Sequence, residues 1–140
     1  MKALTVQQPW AWAIVHGGKD VENRTQAWSY RGPLAIHAGL RTDVWAYEDD
    51  MVRDALGRFD DGWVLEEQTG TVGAVIGVVD LVGAHRGAAC DCISGWAQQG
   101  AVHMLLANPR PLPTPVPCKG RLGLWTPPAD VLDQLQAVAR

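Results

Sequence analysis

Apolar and polar positions along the first 40 residues alternate in short blocks separated by turn signals. Residues 3–6 are mostly apolar and predict a strand, which ends near Pro9 because proline cannot donate a hydrogen bond to a ladder. Apolar residues at helical spacing from Trp10 to Ile14 predict a helix of about two turns. It is expected to stop at residues 17–18, which are both glycine.

Two further extended segments are predicted before residue 40. Residues 19–25 alternate in polarity, so the charged side chains of Glu22 and Arg24 are expected to share one face of an extended segment. Residues 32–33 form a Gly-Pro turn signal that leads into a predicted strand over residues 34–38.

The middle of the chain predicts one amphipathic helix and one long strand. Thr42 can cap a helix whose apolar stripe runs from Trp45 to Phe59, with Asp43 among its polar positions, and which ends at residues 60–62. Residues 63–70 are predicted to form a loop. Residues 72–82 are rich in Val and Ile with interspersed Gly, which predicts a strand buried on both faces and bent at its glycines.

The last third of the chain has weaker periodicity. Residues 83–100 show no clear period, whereas residues 102–106 predict a strand. Five prolines in residues 108–117 predict an extended polyproline-like loop on the surface. Residues 121–125 are expected to close the sheet, and a helix is predicted after the two prolines at 127–128.

The order of these elements indicates the fold class. Short strands separated by isolated helices, without regular βαβ alternation, favour an α+β mixed barrel over a doubly wound sheet. A length of 140 residues, with 47% hydrophobic and 19% charged residues, is typical of one globular domain. A single domain over residues 1–140 is therefore predicted.

Membrane and secretory classes are disfavoured by the distribution of apolar residues. The longest nearly uncharged apolar run, residues 72–79, is far shorter than the roughly 20 residues of a membrane-spanning helix. Residues 1–9 have one lysine and then turn polar, unlike a secretion signal. We therefore predict a cytoplasmic protein without a membrane partner.

Cysteine chemistry is also disfavoured. The three cysteines, Cys90, Cys92 and Cys118, are odd in number, and the first two lack the two-residue gap of zinc knuckles. Neither a disulfide framework nor a metal site is predicted, and no cofactor is implied.

The charge is unevenly distributed along the chain. The net charge of −3 and the pI near 5.7 argue against a strongly basic, sequence-blind polyanion binder. Residues 1–41, however, hold five basic and only two acidic residues, a net charge of +3. A local basic face is therefore predicted on a protein that is acidic as a whole.

Three motifs in the first 38 residues resemble the ASCH family: QPWA at 8–11, G-x-K-x-x-E-x-R at 17–24 and RG-x-x-x-I-x-A at 31–38. Later segments, residues 77–82, 108–109, 118–120 and 124–125, resemble the central strand and the closing part of cointegrator-type ASCH domains. The resemblance spans nearly the whole chain. It implies a PUA-like mixed β-barrel with flanking helices. It also implies a cleft beside the first helix that binds RNA or acts on a nucleic acid or a modified nucleoside.

The resemblance to members that hydrolyse N4-acetylcytidine is incomplete. Those members use the Lys of the G-x-K element, a Thr three residues later and a more distant Glu. Lys19 matches the Lys, but Glu22 stands at the Thr position, and residues 83–100 offer only Asp91 as an acid.

Lys19, Glu22 and Arg24 lie within six residues and form the chemical centre of the predicted site. A carboxylate between two cations can hold a base edge while the cations meet phosphate. A partly desolvated Lys19 beside Arg24 can also act as nucleophile or general base, with Glu22 as proton carrier. The alternative is a surface ion-pair network that only steadies the strand.

Further side chains are predicted to complete the binding site. They are Gln8, Pro9, Trp10, Asn23, Tyr30, Arg31, His37 and Lys119. Trp10 and Trp12 point to different helix faces, so at most one belongs in the core and the other can stack on a base. His37 can be a proton shuttle or a hydrogen-bonded structural residue, and Lys119 can contact phosphate or lie on a solvated turn.

Three functional hypotheses follow from these residues. The favoured one is a domain that binds RNA or another single-stranded nucleic acid in a cationic cleft beside the first helix. The second is a small hydrolase of the same fold acting on RNA or on an N4-acylated cytidine nucleoside, with Lys19 and Glu22 as catalytic residues. The third is an adaptor whose proline-rich segment meets a protein partner.

Overall fold

A computed structural model describes residues 1–59, 62–86 and 94–140. The strands are β1 (Lys2–Gln8), β2 (Val21–Arg24), β3 (Gly32–Thr42), β4 (Ala74–His85), β5 (Val102–Pro117) and β6 (Leu124–Trp125). The α-helices are α1 (Trp10–Val15), α2 (Asp50–Gly57), α3 (Gly62–Gly70) and α4 (Ala129–Gln136), and a 3-10 helix covers Val44–Glu48. Cys90, Asp91 and Cys92, as well as Asp60 and Asp61, lie outside the described residues.

The six strands form one curled sheet in the order β2-β5-β4-β3-β1-β6. β1 and β3 run parallel, with Lys2 opposite Leu34, and the other neighbouring pairs are antiparallel. This mixed, barrel-like sheet with flanking helices confirms the predicted α+β fold class.

α1 packs directly onto the sheet, in contact with β1, β3 and β4. Its Trp12, Ile14 and Val15 are buried. The helix approaches β4 so closely that a Cβ on Gly77 would lie 2.6 Å from Cγ1 of Val15, a distance that only glycine accommodates. Trp12 is fully buried and Trp10 only partly, which confirms that one of the two belongs to the core.

The opposite side of the sheet is covered by α4. Val131 and Leu135 of this helix are buried together with Val75 and Trp125 of the sheet, as its apolar stripe predicted. No helix in residues 1–59, 62–86 or 94–140 is long and apolar enough to cross a membrane.

The prediction of one helix beginning at Thr42 is wrong. Thr42 pairs with Gln8 in the β1–β3 ladder, so its backbone is extended and β3 continues to this residue. The helix begins later, at α2, where the carboxylate of Asp49 accepts hydrogen bonds from the N–H groups of Met51 (2.9 Å) and Val52 (3.2 Å). Trp45, assigned to the apolar stripe, is 80% exposed.

The loop predicted over residues 63–70 is also wrong, because α3 covers this stretch. Its apolar residues at 63–65 are contiguous rather than helically spaced, so no amphipathic stripe marks the helix in the sequence. Hydrogen bonds within the helix include one from the hydroxyl of Thr69 to the carbonyl of Leu65 at 2.8 Å.

The polyproline-like surface loop over residues 108–117 is the third wrong prediction. These residues belong to β5, which pairs with β4 as far as Pro117 opposite Ala74. β2 pairs only with residues 102–105 of β5, so the later part of β5 has one edge without a strand among the described residues. Proline is tolerated there because an unpaired edge requires no N–H donor.

Candidate functional site

A cavity of about 1150 Å³ opens beside α1. Its walls come from the ends of β1 and β3, from β2, and from two segments without regular structure at residues 95–98 and 118–123. Distant parts of the sequence therefore meet at one cleft.

The floor of the cleft holds three charged side chains. Nζ of Lys19 donates to Oε1 of Glu22 at 3.2 Å and also to the carbonyl of Val21. Nη2 of Arg24 donates to Oε2 of Glu22 at 3.1 Å and to the carbonyl of Thr5 at 3.0 Å. The Lys19 and Glu22 side chains are only 2% and 9% exposed, whereas Arg24 is 28% exposed. Lys19 and Glu22 therefore form a buried ion pair, which the partly exposed Arg24 joins, and not a surface network.

The backbone between α1 and β2 places Lys19 on this floor. Gly18 adopts a φ of +78°, which glycine reaches without strain, and turns the chain away from the end of α1. The N–H of Lys19 then bonds to the carbonyl of Ala13 at 2.9 Å. Glu22 is fixed opposite Met104 by the pairing of β2 with β5.

Two indole rings adjoin the ammonium group of Lys19. Nζ lies 5.6 Å from the ring centroid of Trp10 and 5.9 Å from that of Trp96, within the range of cation–π attraction. Nε1 of Trp10 donates to Oδ2 of Asp43 at 2.9 Å. Asn23 holds the other wall, because its Nδ2 donates to the carbonyl of Trp96 at 2.8 Å.

The floor retains hydrogen-bonding capacity toward the cleft. Within the described residues, Oε1 of Glu22 accepts from Lys19 and from the N–H of Asn23 (3.1 Å), whereas Oε2 accepts only from Arg24. The Lys19 ammonium has three N–H groups, of which two have acceptors. A ligand can therefore find an acceptor and a donor side by side.

His37 lies on the wall formed by β3. Its Nε2 lies 2.8 Å from the carbonyl oxygen of Cys118. Because a carbonyl only accepts, Nε2 carries the proton and Nδ1 is an acceptor. Nδ1 is buried and has no hydrogen-bond partner within residues 1–59, 62–86 and 94–140. Burial lowers the pKa of His37, and the bond to Cys118 opposes part of that shift.

The cleft lining is more basic than the protein. Its described residues include five basic side chains, namely Lys19, Arg24, Arg41, Lys119 and Arg121, and three acidic ones, Glu22, Asp43 and Asp49. The whole chain carries a net charge of −3. The described residues contain no group of three metal-ligating side chains.

The family assignment rests on a sequence model described as the ASCH domain, which matches residues 4–104. The chain belongs to the ASCH family. No curated protein matches its sequence.

Solved structures of an ASCH protein from Zymomonas mobilis share the fold. One has a TM-score of 0.58 at 15% identity and covers 99% of this chain and 95% of its own. Two mutant forms of that protein give TM-scores of 0.57 and 0.58 at 15% identity, with 99% of this chain and 98% and 96% of theirs covered. The similarity therefore extends over both chains from end to end.

Most residues predicted for the site lie on the cleft of this ASCH domain. The cavity is lined by Trp10, Lys19, Glu22, Asn23, Arg24, His37 and Lys119. Four predicted residues, Gln8, Pro9, Tyr30 and Arg31, are not part of its lining. Gln8 and Pro9 are buried, the hydroxyl of Tyr30 donates to the carbonyl of Pro33, and Nη1 of Arg31 donates to the carbonyls of Trp28 and Tyr30.

Sequence reasoning missed Trp96 and Asp43 in the ASCH cleft. Trp96 lies between Gly95 and Ala97 in a stretch without apolar periodicity, so the sequence assigns it to no apolar helix or strand face. A tryptophan in such a position was the available sign of a site residue. Asp43 belongs to the polar positions of the helix predicted to begin at Thr42, and the sequence therefore gives it no place in the cleft.

Proposed function

We propose that this ASCH domain binds single-stranded nucleic acid, with RNA as the favoured ligand, and holds one unpaired base in the cleft. The observation that carries the proposal is the Lys19–Glu22 ion pair, which is almost fully buried yet lies on the cavity wall beside two indole rings. A buried charged pair is costly unless further interactions offset its desolvation, and a bound base edge is one such interaction.

The chemistry of the floor suits a nucleobase. Every base presents a hydrogen-bond donor next to an acceptor on its Watson–Crick edge, which complements the free acceptor site of Glu22 and the remaining N–H of Lys19. The partly exposed ring of Trp10 provides stacking surface, a contribution of about 1–3 kcal/mol per base in single-strand binding proteins. The basic excess of the lining supports a phosphate-bearing ligand.

Binding of a labelled single-stranded RNA to two cleft variants tests the proposal. Hydrogen bonds to charged groups contribute about 1.5–3 kcal/mol, so Lys19→Met and Arg24→Gln should each weaken binding about 10- to 100-fold. Arg31→Gln is the matched control, because Arg31 is exposed and outside the cavity, and it should stay within about twofold of the parent. Full affinity in both cleft variants, with folding intact by circular dichroism, would refute the proposal.

A hydrolase acting on RNA or on an N4-acylated cytidine is the second candidate. The observation that favours it is the imidazole of His37, which lines the same cavity as Lys19 and whose Nδ1 accepts no hydrogen bond from the described residues. A positioned imidazole can take a proton from water or from a ribose hydroxyl. Incubation with RNA and with N4-acylcytidines, under conditions where binding is measured, tests it: absence of any product excludes catalysis on these substrates.

A further inference from the structure

Two leucines at the rim of the cleft are almost uncovered. Leu122 is 98% exposed and Leu40 is 81% exposed, and both line the cavity. A single exposed leucine on a protein surface is ordinary. Two on the lining of one cavity are apolar side chains that a ligand entering this cavity can cover.

Three exposed basic residues stand beside these leucines. Arg41 directly follows Leu40, and Lys119 and Arg121 precede Leu122 on the neighbouring segment. Within the part of the chain that the structure describes, none of the three takes part in a salt bridge. We refer to Leu40, Arg41, Lys119, Arg121 and Leu122 together as the mouth.

The fold brings both halves of the mouth to one rim. Leu40 and Arg41 lie near the end of β3. The segment after β5 is tied to the same place, because the N–H of Cys118 donates to the carbonyl of Gly73 at 3.1 Å and its carbonyl accepts from His37. Residue 120 is glycine at the point where this segment crosses β1: a Cβ there would lie 2.7 Å from Oγ1 of Thr5.

We propose that the mouth binds the nucleotides on either side of the base held in the cleft, so that the ligand is a strand and not a free nucleoside. This inference rests on the proposed function. The cations meet the flanking phosphates, and the flanking bases cover the two leucines. The combination of unpaired cations with apolar side chains matches a single strand, which presents phosphates and exposed base faces alternately.

A length series distinguishes a strand site from a nucleoside site. The four nucleoside 5′-monophosphates, a trinucleotide and a hexanucleotide RNA are titrated against the parent protein. We expect the hexanucleotide to bind at least about 100-fold more tightly than the best monophosphate, as additional phosphate and stacking contacts form. Equal affinities for the two would overturn the inference while leaving base binding in the cleft intact.

Mouth variants assign the added affinity to named residues. The triple variant Arg41→Gln, Lys119→Gln, Arg121→Gln should weaken hexanucleotide binding about 10- to 100-fold and monophosphate binding clearly less, because a 5′-monophosphate carries only one phosphate. Its salt slope, the change of log K with log[salt], should fall by about 2, since each phosphate contact on a single strand contributes about 0.7. The double variant Leu40→Ser, Leu122→Ser should weaken the hexanucleotide about 3- to 10-fold without changing the slope.

A second triple variant controls for net charge. Arg31→Gln, Arg53→Gln, Arg140→Gln removes the same charge from exposed positions outside the cavity lining, and hexanucleotide affinity should change less than about threefold. An equal loss in both triple variants would overturn the inference, because it would assign the effect to overall charge. Binding to phosphatidylserine vesicles that only the mouth variants abolish, with hexanucleotide binding unchanged, would identify a membrane surface instead. If neither Lys19→Met nor Arg24→Gln weakens the binding of a ligand of any length, the proposed function itself fails.

Discussion

The side-chain oxygen of Gln8 accepts a hydrogen bond from the main-chain N–H of Trp12 at 2.9 Å, inside the first turns of α1. The Nε2 group of Gln8 donates to the carbonyls of Gln68 at 3.1 Å and Thr71 at 3.0 Å. Gln8 therefore ties α1 to the end of α3, and both of its N–H groups are used within the protein. Gln8, which the sequence predicts to contact a ligand, is instead a buried structural residue that is not part of the cavity lining.

Removal of the hydrogen bonds made by the Gln8 side chain should destabilise the fold. Gln8→Ala leaves the N–H of Trp12 and two carbonyls without their partner in a buried place, and we expect the free energy of unfolding to fall by about 2–4 kcal/mol. Urea denaturation measures the loss. The folded fraction should bind RNA as the parent does, so a loss of affinity with unchanged stability would contradict this role.

The two halves of the buried ion pair should differ in their effect on stability. Glu22→Gln leaves Lys19, whose side chain is 2% exposed, without a carboxylate, and breaking a buried pair in this way costs about 3–5 kcal/mol. Lys19→Met should cost clearly less, because Arg24 still pairs with Glu22 at 3.1 Å. Thermal unfolding of both variants at one pH measures the order, and a reversed order would contradict the burial argument.

Stability should decrease on mild acidification. Burial lowers the pKa of both His16 and His37 from the ordinary value of 6.5. The unfolded chain then binds protons more readily than the folded one, so the contribution is complete above pH 6.5 and is lost as the pH falls through the folded pKa. Urea titrations between about pH 7.5 and 5 measure the slope.

His37→Gln separates the contribution of this histidine from that of His16. In the parent protein, Nε2 of His37 lies 2.8 Å from the carbonyl oxygen of Cys118. A glutamine amide can donate the same hydrogen bond but does not titrate. The slope of stability against pH should therefore become shallower in this variant. An unchanged slope would show that His37 does not titrate differently in the folded and unfolded states.

Gly120→Ala should destabilise the fold, because the contact between Gly120 and β3 leaves no room for a side chain. A Cβ at this position would lie 2.6 Å from Cε1 of His37, and overpacking of this kind typically costs about 1–3 kcal/mol. Gly57→Ala is the matched control, because a Cβ there meets nothing within 4 Å and residue 57 ends α2. The control should be neutral or stabilising by up to about 1 kcal/mol. Equal midpoints in urea for the two variants would contradict the contact.

Local signals in the sequence were sufficient for the central part of the site. Lys19, Glu22 and Arg24 lie close in sequence on and before one strand, so their convergence follows from a single extended segment. Trp96 reaches the same ammonium group from more than 70 residues away, and no local pattern encodes that meeting. The buried position of Gln8 likewise depends on α3, a helix without an apolar stripe.

Two of the wrong assignments, the helix begun at Thr42 and the loop at residues 108–117, share a physical cause. Thr42 has the chemistry of a helix cap, but its pairing with Gln8 in the ladder overrides that local preference. The prolines of β5 predict a loop because a sequence does not reveal whether a strand lies at the edge of a sheet. In each case the deciding contact is between distant residues.

The proline spacing in β5 also affects how molecules meet one another. Pro109, Pro111, Pro113, Pro115 and Pro117 remove the N–H group at every second residue of this strand. A strand from another molecule that approached the uncovered edge would lack the regular donors from which an intermolecular ladder is built. Where β5 has no neighbouring strand among the described residues, its edge therefore offers a poor template for fibre growth.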